Sequence, residues 1–155
     1  SACHSKNGMA RERPLLLCAA VLPSATRPAD AAAKARDLEP LLSDPDWRAV
    51  VAALVRIQRI VPAGTEPSVD AAVLTDQAER ALARVVAAAS PSLTVADFAV
   101  TGRDLVGPVT AFFEQTLVMA DDPRLRAARL GLLASIAALA PAGLDWSAVD
   151  TATKQ

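Results

Sequence analysis

Pro108–Leu133 reads PVTAFFEQTLVMADDPRLRAARLGLL, and its spacing decides the fold class. Val109, Phe112, Phe113, Thr116 and Leu117 recur at i, i+3, i+4, i+7 and i+8, the pattern of one apolar stripe on an α-helix. The spacing predicts a helix from Val109 to Ala120 that buries both phenylalanines. Asp121 or Asp122 then offers a carboxylate to the free N–H groups of the next turn, and Pro123 brings a φ suited to a first helical position. A second helix is predicted there, with Leu125, Ala128, Leu132, Leu133, Ile136 and Leu139 on its apolar face. At roughly 100° per residue, Arg129 projects near the middle of that face and Arg126 lies on its border. A guanidinium aimed at a core needs a partner. Two remain open: a carboxylate or helix C-terminal carbonyls inside the body, or an anion or phosphate at its edge.

The rest of the chain is consistent with helices. Its 155 residues suit one domain, and 52% are hydrophobic with only three Phe, two Trp and no Tyr; alanine and leucine dominate, and β-branched runs of period two are few. The expected fold is all-α, a single bundle of about six helices over residues 14–155. Residues 1–13 read as a flexible lead-in or a cloning remnant. Arg11 and Arg13 followed by LLLCAAVL resemble a charged and apolar leader, but eight apolar residues fall far below the roughly 20 that span a bilayer. A short buried helix fits them better.

The formal net charge is −1, from 16 basic and 17 acidic residues, so no global basic field draws in nucleic acid and any such contact must be local. Thirteen of the basic residues are Arg, which fits bidentate phosphate contacts and fits a GC-rich coding bias equally. Cys3 and Cys18 lack C-x-x-C spacing and His4 is the sole histidine, so neither a zinc set nor a histidine-based catalytic group can be assembled.

Taken in order, Pro14 opens a short helix to about Leu22, closed by the Pro23–Pro28 turn. Ala31, Ala35, Leu38 and Leu42 repeat with helical spacing until Pro40 kinks or ends the helix. Asp44 and Pro45 then cap and open DWRAVVAALVRIQRIV. Trp47, Val50, Leu54, Ile57 and Val61 form its apolar face, while Arg48, Arg56 and Arg59 cluster opposite, either as a solvated face or as a phosphate-contacting ridge. After the PAGTEP loop a helix capped near Thr75 carries Ala78, Ala81, Leu82, Val85, Val86 and Ala89 on one face. Asp76, one turn before Arg80, predicts an intrahelical pair. Ser90–Ser92 break the chain, and Thr94 with Asp97 makes a capping box in which Leu93 staples onto Phe98. That helix is expected to stop near Val106, at Gly107 and Pro108. Finally Leu144, Trp146 and Val149 dock on the bundle, Trp146 as a packing plug or a base-stacking platform. No Gly-rich phosphate loop and neither class of synthetase catalytic signature is present.

The run FFEQTLVMADDPRLRAARLGLL resembles the C-terminal anticodon-binding, DALR-like domain of bacterial-type and plastid-type glycyl-tRNA synthetase, in its beta subunit or beta region. The family pattern of two aromatics, a V-M-A/V-acid-acid segment and L-R-x-x-R-L-x-L-L is met by Phe112, Phe113, Val118–Asp122, Leu125, Arg126, Arg129, Leu130, Leu132 and Leu133. A second segment, A-Y-x-R-x-x-R-I, is matched by Ala53, Arg56, Arg59 and Ile60, with Leu54 in place of the tyrosine. A third is matched by Val69, Asp70, Ala72, Val73, Glu79, Ala81 and Leu82. Ala127 and Ala128 stand where the family commonly has an asparagine pair.

The resemblance implies a module that positions tRNA(Gly) for ATP-dependent glycylation performed elsewhere in a parent ligase. It implies a tRNA-binding set of Arg48, Arg56, Arg59, Arg126 and Arg129, the last two in structural or backbone-contacting roles. No catalytic residue and no metal are expected in this chain; ATP and Mg²⁺ are implied for the parent. The implied partners are tRNA(Gly) and the catalytic and editing regions or alpha subunit, with no membrane, in the bacterial cytoplasm or an organelle. The alternative is a helical protein-interaction or assembly module that keeps the fold without specific anticodon reading. The missing tyrosine, the missing asparagine pair and the slightly acidic balance favour that alternative.

Overall fold

Aspartates begin four of the helices, one through a reciprocal capping box and three through a single contact. Asp44 Oδ1 accepts the Asp46 N–H at 2.9 Å, Asp122 Oδ1 the Arg124 N–H at 2.9 Å, and Asp145 Oδ1 the Ala148 N–H at 3.2 Å, each cap worth about 1 kcal/mol. They start α3 (Pro45–Ile60), α6 (Pro123–Leu139) and α7 (Trp146–Thr153). The computed structural model describes residues 15–154. The lead-in at residues 1–13, with Cys3, His4, Arg11 and Arg13, and the helix start at Pro14 lie outside them. Within them, residues 15–21 form a helical segment, α1, followed by a 3-10 turn at Leu22–Ser24, α2 (Pro28–Leu41), α4 (Gln77–Ala88) and α5 (Val95–Gln115). There is no strand among the described residues, and the chain is an all-α bundle.

Several local expectations give way to packing. Gly107 and Pro108 do not stop a helix: α5 runs unbroken for 21 residues with Pro108 inside it. An interior proline costs about 3 kcal/mol, but Leu105, Val109 and Phe112 flank it as buried residues of one continuous face. The carbonyl it leaves without a donor belongs to Asp104, an exposed residue. The same helix ends at Gln115 rather than Ala120, because Thr116 turns extended at φ −129° and ψ 131°. Leu117 therefore leaves the predicted stripe and stands 71% exposed. Leu93 is no staple, being 90% exposed, although Thr94 Oγ1 does accept the Asp97 N–H at 3.1 Å.

Further corrections concern the ends of the smaller helices. The cap expected near Thr75 is Asp76, one residue on, whose side chain forms a reciprocal capping box with Glu79. Ala81 on that helix is exposed. Of LLLCAAVL, only Ala20 is buried, so α1 rests one edge on the body instead of sinking into it. Pro40 occupies the last turn of α2, which ends one residue later. Buried Lys34 on α2 donates to Ser24 Oγ and Asp30 Oδ2, both at 2.7 Å, and Ser24 Oγ donates to the Gly143 carbonyl at 2.6 Å, tying the 3-10 turn to the α6–α7 connection.

The core is gathered around α3, which packs on α5, α6 and α7, while α4 packs on α5 and α6. Trp47, Phe98 and Trp146 meet with ring centroids 5.6–6.2 Å apart, joining α3, α5 and α7. The Leu144, Trp146 and Val149 docking expectation holds, with Trp146 and Val149 buried, and Trp146 is a packing plug. Helices α3 and α5 run side by side in the same direction, with Val50 beside Gly102 and Arg56 beside Phe113 further along. At the start of the pair, Arg103 Nη2 donates to Asp44 Oδ2 at 3.1 Å. The Asp46 N–H first, and Arg103 after it, hold the Asp44 carboxyl below its usual range.

Gly102 permits the close crossing. A Cβ there would lie 2.6 Å from Val50 Cγ1 and 2.8 Å from Cγ2, and Val50 is β-branched and cannot swing away freely. Gly102→Ala gains up to about 1 kcal/mol of helix propensity yet forces an overpacked contact costing about 1–3 kcal/mol. A net loss of about 1 kcal/mol is expected in urea denaturation; unchanged or raised stability would show that the two helices separate at no cost. Gly131 plays the corresponding part for the α3–α4 loop: Ser68 N donates to the Gly131 carbonyl at 3.1 Å, and the Ser68 side chain occupies the space a Cβ would need.

Candidate nucleic-acid interface

The two arginine groups singled out by sequence are separated by the fold into opposite environments. Arg129, at 7% exposure, faces inward as its periodicity demands. Its Nε donates to Glu79 Oε1 at 2.5 Å, its Nη1 to the Leu117 carbonyl at 2.6 Å, and its Nη2 lies 3.5 Å from Asp76 Oδ2. Glu79, 1% exposed, spends its second oxygen on the Asp76 N–H at 3.1 Å. One guanidinium thus joins the start of α4, the segment after α5 and the middle of α6. The carboxylate partner takes the place an external anion would need. Asp76 consequently turns towards Arg129 and makes no ion pair with Arg80, because a buried cation attracts it more strongly than a solvated one. Arg126, half-buried, donates from Nη1 to the Ala120 carbonyl at 3.3 Å.

Arg48, Arg56 and Arg59 are all exposed. At 100° and 1.5 Å per residue they lie within an arc of about 80° and span roughly 16 Å of α3. None forms an ion pair with a described residue. Arg56 instead lies over the Phe113 ring, its Cζ 4.0 Å from the centroid, a cation–π contact that links the far ends of α3 and α5. Exposed Ala52 sits within the row, leaving the three cations unobstructed by acidic side chains of their own helix. Charge so arranged supplies a short positive ridge on a chain with formal net charge −1.

Two departures from the family pattern change meaning in three dimensions. Leu54 is buried, so a tyrosine at its position would point into the body and its absence strips no stacking ring from the surface. Of the asparagine-pair positions, Ala128 is buried and only Ala127 is exposed. Sequence reasoning missed Glu79 as the Arg129 partner and Phe113 as the support for Arg56. The D-x-x-E spacing of Asp76 and Glu79 was a visible signal of the capping box, but nothing local announces a contact 50 residues away.

Among the described residues no group of three or more His, Cys, Asp or Glu is placed to hold a metal ion, and no helix is long and apolar enough to cross a membrane. An open groove of about 690 Å³ runs between α4 and α5, past Arg84, Ala88, Val100, Asp104 and Pro108.

No family model matches the chain. It is 35% identical over 129 residues to the glycine–tRNA ligase beta subunit of Geobacter metallireducens, covering 77% of this chain and 18% of that protein. It is 39% identical over 102 residues to that of Leptothrix cholodnii, covering 59% and 14%. With the beta subunit of Geobacter sp. (strain M21) the identity is 36% over 125 residues, covering 76% and 18%. The chain spans less than a fifth of the length of these relatives.

Proposed function

From its homology to a stretch of the glycine–tRNA ligase beta subunit, we propose that this all-α chain is a tRNA-binding module, holding the anticodon arm of tRNA(Gly) for glycylation carried out elsewhere in a parent ligase. The observation that carries this reading is the row Arg48, Arg56 and Arg59 on the solvent face of α3, which forms no ion pair with a described residue. Guanidinium groups suit phosphate oxygens bidentately, and a locally basic ridge supplies affinity without a basic chain. Arg129 and Arg126 serve the fold behind it. ATP and Mg²⁺ are proposed to act in other regions of the parent, and the catalytic and editing regions or the alpha subunit are its proposed partners.

Filter binding with tRNA(Gly) tests the ridge. Arg56→Ala with Arg59→Ala is expected to weaken affinity at moderate salt, and to flatten the log–log salt dependence by about 1.4–1.8 units, since each lost phosphate contact removes about 0.7–0.9. Unchanged affinity and slope remove both residues from the interface.

A second reading, docking against a protein surface of the ligase, is favoured by exposed Val100 on the α4–α5 groove and exposed Leu93 at the start of α5. The same assay separates the two: a docking module retains no tRNA(Gly) at any salt.

A further inference from the structure

The ridge explains contacts to phosphates, but reading an unpaired base requires a flat surface on which to stack it, and this chain has few. Its aromatic side chains are three Phe and two Trp. Trp47, Phe98, Phe112 and Trp146 are buried, which leaves Phe113 as the one partly exposed ring. That ring is covered by Arg56, whose Cζ sits 4.0 Å from its centroid. Arg56 is itself exposed and forms no ion pair with a described residue. The ring therefore orders a side chain that is otherwise flexible, and the N–H edge of the guanidinium stays available.

Resting on the RNA-binding reading above, we propose that Arg56, held on Phe113, is the base-stacking element of this surface. An unpaired base of the anticodon loop stacks on the outer face of the guanidinium while its N–H edge, like Arg48 and Arg59, meets a phosphate. Arginine suits this role because its cation is planar and weakly hydrated, whereas a lysine ammonium is a strongly hydrated point charge with no face. Ordering by the ring lowers the entropy lost when a base arrives. Phe113 is a positioning residue; Arg56 makes the contact.

The test uses the intact chain and the anticodon stem-loop of tRNA(Gly), carrying 2-aminopurine at each loop position in turn. The unaltered chain is expected to quench fluorescence at one or two adjacent positions. Arg56→Lys keeps the charge and leaves the core untouched, so the salt slope should hold while affinity falls by roughly 5- to 100-fold and the quench disappears. Phe113→Leu, with its fold verified by thermal melting, should keep the slope and lose part of the quench. Equal quench with Arg56→Lys, or binding without quench at any position, overturns the inference and leaves the phosphate ridge standing. Binding of whole tRNA(Gly) without binding of the stem-loop overturns it as well. A chain that binds neither RNA removes the proposed function and this inference together.

Discussion

Replacing Arg129 with alanine is expected to cost about 3–5 kcal/mol, because it strands the Glu79 carboxylate in the interior without its counter-ion. Glu79 is 1% exposed, and its second oxygen is already held by the Asp76 N–H. The loss also frees the Leu117 carbonyl, which holds the segment after α5 to α6. Domains of this kind have total stabilities of about 5–15 kcal/mol, so a large share of the folded population is at risk. Glu79→Ala should approach the same cost, since it leaves the buried cation with only the more distant carboxylate of Asp76 and dismantles the α4 capping box. Combining Arg129→Met with Glu79→Leu should cost clearly less than the two single alanine losses added together, because the pair's desolvation penalty vanishes with it. Urea denaturation followed by circular dichroism decides the matter. An Arg129→Ala cost below about 1 kcal/mol would show that Glu79 finds solvent or another donor. Where the variant remains folded, its salt slope for tRNA(Gly) should equal that of the unaltered chain, since Arg129 is not on the ridge.

The second large effect is expected at Trp146. It lies 5.9 Å from Trp47 and 5.6 Å from Phe98, centroid to centroid, and begins an eight-residue helix. Trp146→Ala should cost about 3–5 kcal/mol through the cavity it leaves and the aromatic contacts it removes. A helix of that length is not stable by itself, so α7 should lose its helical signal with its anchor. Hydrogen exchange should report α7 amides opening well below the global unfolding energy, and near-ultraviolet dichroism from the trio should collapse. Retained α7 protection would assign the docking to Val149 and Ala152, both fully buried.

How far the sequence is legible follows from the range of the forces involved. Asp44, Thr94 and Asp122 are readable as caps because a cap joins residues two or three apart. The inward aim of Arg129 is readable from helical period alone, and so is the outward aim of Arg48, Arg56 and Arg59. The staple of Leu93 is absent, that side chain being 90% exposed, while the intrahelical pair of Asp76 and Arg80 and the break at Gly107–Pro108 are local proposals that lost to stronger distant competitors. Asp76 is drawn to Arg129, and α5 continues through Pro108 because burial on both sides of the proline exceeds its cost.

By itself, then, the sequence determined the all-α class, most helix starts and which arginines point in or out, since each depends on contacts within about a turn of chain. Tertiary structure alone decided that Arg129 closes on Glu79, that Phe113 carries Arg56, that Leu54 is a core position, and that α5 is one helix ending at Gln115. Those outcomes compare the burial energy of segments far apart in sequence. No local spacing contains that comparison; it is made only when α3, α4, α5 and α6 share one core.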